Sequence, residues 1–177
     1  MGVLGVVLAG GLSRRFGEDK ALALVDGVPM ALRVAEAMRA AGLHVVLAAP
    51  DDRLACLGLP LLIEPDDGPR HPLRGLWAAL GEAEEVLCAP CDLPWLPAEA
   101  ILALLEGAAP TVGFDGERVH PLLTRRRSAD RPAVEALWRQ GAPARALAED
   151  ARRVLLRALW LQNVNTRAAL DPQRGGL

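Results

Sequence analysis

Leu8-Ala9-Gly10-Gly11-Leu12-Ser13-Arg14-Arg15-Phe16-Gly17-Glu18-Asp19-Lys20 follows directly on a short, branched apolar run, Val3 to Leu8. Such a run, bounded by glycine, predicts a buried strand that opens into a glycine-rich, doubly basic loop. Adjacent glycines let the backbone turn sharply and present its N–H groups to an anion, while Arg14, Arg15 and Lys20 supply positive charge. This is chemistry for a polyphosphate. Two common phosphate loops are excluded by spacing. A Walker A loop needs Gly-Lys followed by Ser or Thr, whereas Gly17 is followed by Glu18, Asp19 and Lys20-Ala21. The G-x-G-x-x-G fingerprint also fails, because Gly10 and Gly11 are adjacent, so no Rossmann cofactor is indicated.

The 177 residues fit one domain, with a first part (1–106), a later part (107–170) and a frayed tail (171–177). A net charge of -2 provides no global basic field, which argues against nucleic acid or an anionic membrane as partner and makes any anion site local. The first apolar run is too short to span a bilayer and lacks a basic stretch before it, so the expected compartment is the cytoplasm. Cys56, Cys88 and Cys91 are an odd number without a disulfide framework. Of 20 basic side chains only Lys20 is lysine. It either survives by chance or sits where a compact ammonium is needed and a planar guanidinium will not serve.

Strand and helix alternate through the first part. Apolar runs at His44 to Ala49, Leu59 to Ile63 and Glu85 to Ala89 predict strands; Met30 to Ala41, Pro72 to Ala83 and Pro97 to Glu106 predict helices. This order predicts an open, mostly parallel α/β sheet that gathers ligands at the carboxyl ends of its strands. The glycine loop, the acidic Glu64–Pro69 loop and the Asp92 loop all follow strands. Beyond them, Thr111 to Phe114, the turn Asp115-Gly116 and Arg118 to Thr124 predict an antiparallel β-ribbon. Arg125-Arg126-Arg127 reads as a solvated turn. Helices are expected at 131–139 and 142–151, a strand near 154–161, and a last helix capped within Asn163-Val164-Asn165-Thr166.

Asp92, held between Cys91 and Leu93-Pro94, has two readings from spacing: a capping or turn residue, or a carboxylate that holds Mg²⁺ against phosphates. Cys88-Ala89-Pro90-Cys91 has C-x-x-C spacing, but Cys88 ends a strand and no second pair stands at zinc spacing, so burial is the expected role. Asn163 and Asn165 are the chain's two asparagines, suited either to a helix cap or to a polar substrate. His71 and His120 each precede proline and read as structural.

With these residues in view the chain resembles the molybdenum cofactor guanylyltransferases, a nucleotidyltransferase family. The resemblance rests on L-A-G-G-x-S-x-R-x-G-x-D-K at Leu8 to Lys20, P-L-x-G at Pro72 to Gly75 and P-C-D-x-P at Pro90 to Pro94. D-G-x-x-x-H-P at Asp115 to Pro121 and N-V-N-T at Asn163 to Thr166 complete it. It implies a three-layer, Rossmann-like α/β sheet of the glycosyltransferase-A type with a small antiparallel β-ribbon. It also implies GTP and molybdopterin, or the molybdenum cofactor, as substrates, Mg²⁺ as cofactor, and molybdoenzymes or their chaperones as recipients of the product. By resemblance Leu8, Ala9 and Gly10 meet the guanine nucleotide through backbone, and Gly11 and the following loop cradle phosphates. Lys20 contacts the triphosphate, Asp92 binds Mg²⁺, Asp66 lies near base or ribose, and Arg15 joins Lys20 and Asp92 as a catalytic group. Asn163, Asn165 and His120 fall on the acceptor side. Three departures stand out. Ala48 occupies a position where the family commonly has asparagine, Arg74 interrupts the usual G-P-L-A-G, and Arg167 follows N-V-N-T in place of proline.

Overall fold

Strand β1 (Leu4–Leu8) runs through the middle of the molecule, with Val6 and Val7 wholly buried on opposite faces. The computed structural model describes residues 2–10 and 19–164; Gly11, Arg14, Arg15 and Asn165 of the expected site, and the expected last helix, lie outside them. After β1 come the short strands β2 (Leu24–Val25) and β3 (Val28–Pro29), helix α1 (Met30–Ala40), β4 (His44–Ala49), β5 (Leu61–Ile63), α2 (Leu73–Ala79) and β6 (Glu85–Pro90). Helix α3 (Ala98–Leu105), β7 (Thr111–Phe114), β8 (Val119–Arg127), α4 (Arg131–Arg139) and β9 (Arg152–Leu155) follow.

Seven strands form one sheet in the order β5-β4-β1-β6-β8-β7-β9. Only β8 runs against the rest, pairing antiparallel with both β6 and β7. Alternation along β1 explains the layers. Val7 and Ala9 point into a core shared with Met38 of α1 and Ile101 of α3, whereas Val6 and Leu8 join Leu76 of α2 and Trp138 of α4. The expected three-layer α/β sheet is therefore present. The ribbon β7–β8 is part of it, and a separate two-stranded antiparallel sheet, β2–β3, is closed by Asp26 and Gly27, both at positive φ.

Three expectations are corrected. Residues 142–151 form only a 3-10 turn, Ala144–Ala148, entered from Pro143. The strand expected near 154–161 is Arg152–Leu155, and a 3-10 turn occupies Ala158–Leu161. Arg125, Arg126 and Arg127 are no solvated turn: they continue β8 opposite Glu85, Val86 and Leu87. Arg126 is buried and bonds Asp150 and the Leu147 carbonyl, while Arg125 and Arg127 both grip Glu85. A guanidinium can enter a sheet face when its donors are all met by carboxylates and carbonyls.

Candidate active site

The carboxyl ends of β5, β4, β1 and β6 form one edge, on which the loops after each strand converge. At the end of β1 the backbone is divided between neighbours. The Leu8 carbonyl accepts from Cys91 N–H at 3.0 Å, and Ala9 N–H donates to the Ala48 carbonyl at 2.8 Å. In a parallel ladder the donor for the Ala9 carbonyl would be the N–H of residue 50, and Pro50 has none. The strand therefore opens toward the ligand edge at this point, immediately before Gly10.

Lys20 and Asp92 meet there. Asp19 caps the 3-10 turn Lys20–Leu22, its Oδ1 accepting from Ala21 N–H at 3.1 Å, and this fixes the start of the lysine stem. Lys20 Nζ then donates to Asp92 Oδ2 at 2.9 Å, both side chains being more than four-fifths buried. The other oxygen, Asp92 Oδ1, is buried with no hydrogen-bond partner among the described residues. Such an orphan acceptor is costly unless something occupies it. A divalent cation bound to one carboxylate and to substrate phosphates fits it. Among the described residues no cluster of three or more His, Cys, Asp or Glu could hold a metal unaided. Cys91 is buried beside this pair; desolvation, reinforced by the Asp92 charge, pushes its thiol up to about 12. It is inert as a nucleophile, as is Cys88, whose thiol burial also raises. This matches the burial expected for both.

The segment after the last 3-10 turn docks on the same loop: Val164 N–H donates to the Asp92 carbonyl at 3.0 Å, which brings exposed Asn163 to the edge. His120 Nε2 lies 3.0 Å from Asp115 Oδ2 at the top of the ribbon. Asp115 also accepts from the N–H groups of Arg118 and Glu117, and these bonds, the Arg118 one foremost, hold its carboxyl well below the usual range. His71 is structural, as expected. Its Nδ1 accepts from Leu73 N–H, so Nε2 carries the proton donated to the Ala142 carbonyl.

Asp66 is not drawn into this group. Its side chain is fully exposed and pairs with Arg74 at 3.5 Å, and Asp67 pairs with Arg139 on α4. The acid that does reach Gly10 is Glu64, which sequence reading passed over as one member of an acidic loop. A Cβ on Gly10 would fall 2.1 Å from Glu64 Oε1, and one on Gly75 would fall 3.0 Å from the same atom. The available signal was positional: Glu64 directly follows β5, as Asp92 follows β6 after one turn.

An open α/β sheet whose central strand leads into a glycine pair in the sequence, with an ammonium–carboxylate pair at its carboxyl edge, has the architecture of a nucleotidyltransferase. The model of the MobA-like NTP transferase domain matches residues 5–157, and the chain belongs to that family. It is 32% identical over 146 residues to a molybdenum cofactor guanylyltransferase from Shewanella loihica, covering 77% of this chain and 74% of that one. It is 38% identical over 132 residues to another from Cereibacter sphaeroides, covering 68% and 67%. The fold is shared with the molybdopterin-guanine dinucleotide biosynthesis protein A of Archaeoglobus fulgidus, at a TM-score of 0.76 and 20% identity over 95% of both chains.

Proposed function

We propose that this chain transfers GMP from GTP to the terminal phosphate of molybdopterin or its molybdenum-loaded form, with Mg²⁺, releasing pyrophosphate. An oxygen of the acceptor phosphate attacks the α-phosphorus of GTP. The bond from that phosphorus to the bridging oxygen breaks, and the electron pair leaves with pyrophosphate. The acceptor is already an anionic nucleophile, so no general base is needed, and the chain's task is alignment and neutralisation of charge. In this reading Lys20 meets the phosphates as a point charge, and its bond to Asp92 supports the reading by holding both groups in position. When bound, Mg²⁺ would supply further positive charge at the phosphates, held by Asp92 Oδ1. Arg15 and Gly11, on the loop between Gly10 and Asp19, complete the phosphate side in this reading. Asn163, Asn165 and His120 serve the acceptor. The product passes to molybdoenzymes or their chaperones. Among the described residues no helix is long and apolar enough to cross a membrane, and the reading places the reaction in the cytoplasm.

The observation that carries this reading is the Lys20–Asp92 pair with its unpartnered buried oxygen at the end of the glycine strand. The test is pyrophosphate release from each NTP in the presence of Mg²⁺ and molybdopterin. Release from GTP is expected in the wild type and is lost in Asp92→Ala, whose circular dichroism stays that of the wild type. Release from CTP instead would assign a cytidylyl transfer, and an active Asp92→Ala enzyme would remove the metal role.

A further inference from the structure

Strand β9 ends the sheet on the side away from β5, and its outer edge belongs to no part of the site described above. Arg152 N–H donates to the Pro110 carbonyl at 3.0 Å and Leu156 N–H to the Phe114 carbonyl at 2.8 Å, both toward β7. Alternate residues of a strand direct their backbone groups to opposite sides. Arg153 and Leu155 therefore direct theirs outward, where no strand lies among the described residues. A row of unpaired N–H and C=O groups is a template for another extended chain.

The side chains along this edge are selective. Val154 is buried and anchors the strand, whereas Leu155 is 72% exposed and Leu159, on the turn beyond it, is 63% exposed. Exposed leucines are the reverse of what protects a sheet edge from pairing. Leu159 and Trp160 carry the apolar strip on to a groove that Trp95 and Pro97 also line. The charges of the strip have one sign. Arg153 lies over the Phe114 ring, 5.5 Å from its centroid, Arg157 lies over the Trp160 ring at 5.3 Å, and Arg152 donates to the Glu106 carbonyl. Among the described residues none of the three has a carboxylate within ion-pair distance, whereas Arg125, Arg126 and Arg127, two strands inward, each do. Backbone pairing, apolar contact and uncompensated positive charge thus stand side by side.

We propose that the β9 edge is a docking surface for an extended segment of a partner protein in which acidic residues are interspersed with apolar ones. The segment adds to the sheet as a further strand. Its backbone pairs with Arg153 and Leu155, its carboxylates meet Arg152, Arg153 and Arg157, and its apolar side chains cover Leu155 and Leu159. Residues 165–177 suit this place poorly, because their acid, Asp171, is outnumbered by Arg167 and Arg174. A second copy would double the positive charge along the seam, and like charges across paired strands are destabilising. Because β9 runs parallel to β7, and β7 runs as β6 does, β9 ends at the carboxyl edge of the sheet. Residues 156–164 lead from there to the Asp92 carbonyl, so a partner held on β9 stands beside the candidate site. Docking here is independent of which nucleotide or acceptor the chain uses.

The test is fluorescence anisotropy of the full chain with a labelled peptide of short alternating blocks of glutamate and valine. Two control peptides carry lysine for glutamate, or N-methyl groups along the backbone. The wild type is expected to bind the glutamate peptide on the order of tenfold more tightly than either control, the combined effect of a few opposite-charge cross-strand pairs. Arg153→Glu removes the preference for glutamate over lysine, and Leu155→Asp weakens binding of the glutamate peptide about tenfold through lost apolar burial. Both positions are exposed, and melting curves verify that the variants fold. Equal binding of the glutamate and lysine peptides overturns the proposal, as does binding that survives N-methylation or is unchanged in both variants. Absence of binding by the wild type overturns it too, whether or not residues 165–177 cover the edge. A dimer in sedimentation that Arg153→Glu dissolves assigns the edge to a second copy and overturns it as well.

Discussion

Lys20 and Asp92 are 72 positions apart and 2.9 Å from each other, and in the proposed reaction each has a role that a neighbouring residue type could not fill. Lysine is represented once in this chain, against nineteen arginines, and the one lysine stands where its ammonium reaches the Asp92 carboxylate and, in the proposed reaction, a phosphate. A guanidinium there would spread its charge over a plane and take Asp92 with two donors, displacing a cation from the free oxygen. Lys20→Arg is therefore expected to lower kcat on the order of 10², the loss typical for one misplaced charge-stabilising donor. Near-normal turnover in stopped assays of pyrophosphate release would return the lysine to chance survival. Glu64 carries a second, pH-dependent consequence. Its carboxyl sits above the ordinary 4.5 in the fold because it is desolvated, so the folded chain keeps a proton that the unfolded chain has released. From about 4.5 upward, stability falls with rising pH until the folded group has also ionised. Glu64→Gln should accordingly melt higher than the wild type at neutral pH, with the gap in Tm closing as pH is lowered toward 4.5. A constant gap across that window would mean that Glu64 is not held in its charge-disfavouring corner.

Among the elements, β8 departs furthest from expectation, and it also joins β7 to the central sheet through β6. Arg125-Arg126-Arg127 carries no hydrophobic alternation, so the run looks like solvated polar chain. Folding nonetheless pairs Arg126 with Val86 across the sheet and buries its guanidinium against Asp150, Asp130 and the Leu147 carbonyl. Those partners come from beyond the strand, and no local pattern could announce them. Arg126→Met keeps the stem and removes the donors. It is expected to destabilise the fold by about 2–3 kcal/mol, the scale of charge-assisted hydrogen bonds, with Asp150 left in water and so spared a buried-charge penalty. Urea unfolding measures this, and a change within about 0.5 kcal/mol, the range of ordinary surface substitutions, would show that Arg126 is not holding the ribbon to the sheet. The same limit explains the 3-10 turn at Ala144–Ala148: its alanines and leucine suit a helix, but Pro143 fixes an extended entry, and only Leu147 is buried.

Over the whole molecule, the order β5-β4-β1-β6 lines up four strand ends, with the Glu64 corner on one side of the glycine strand and the Lys20–Asp92 pair on the other. The sequence by itself determined the central strand and the α/β alternation, and it supplied the polyphosphate reading of the glycine-rich stretch that the proposed function uses. All of these are local: branched apolar runs, glycine freedom and charge within a dozen positions. It also marked Lys20 and Asp92 one at a time. Their pairing, an Asp92 Oδ1 unpartnered among the described residues, the exposure of Asp66 and the choice of Glu64 as the acid against Gly10 were decided only by tertiary structure. Each depends on which strand ends become neighbours and which side chains lose their water there, and those distances are set by the packing of the sheet between its two helical layers.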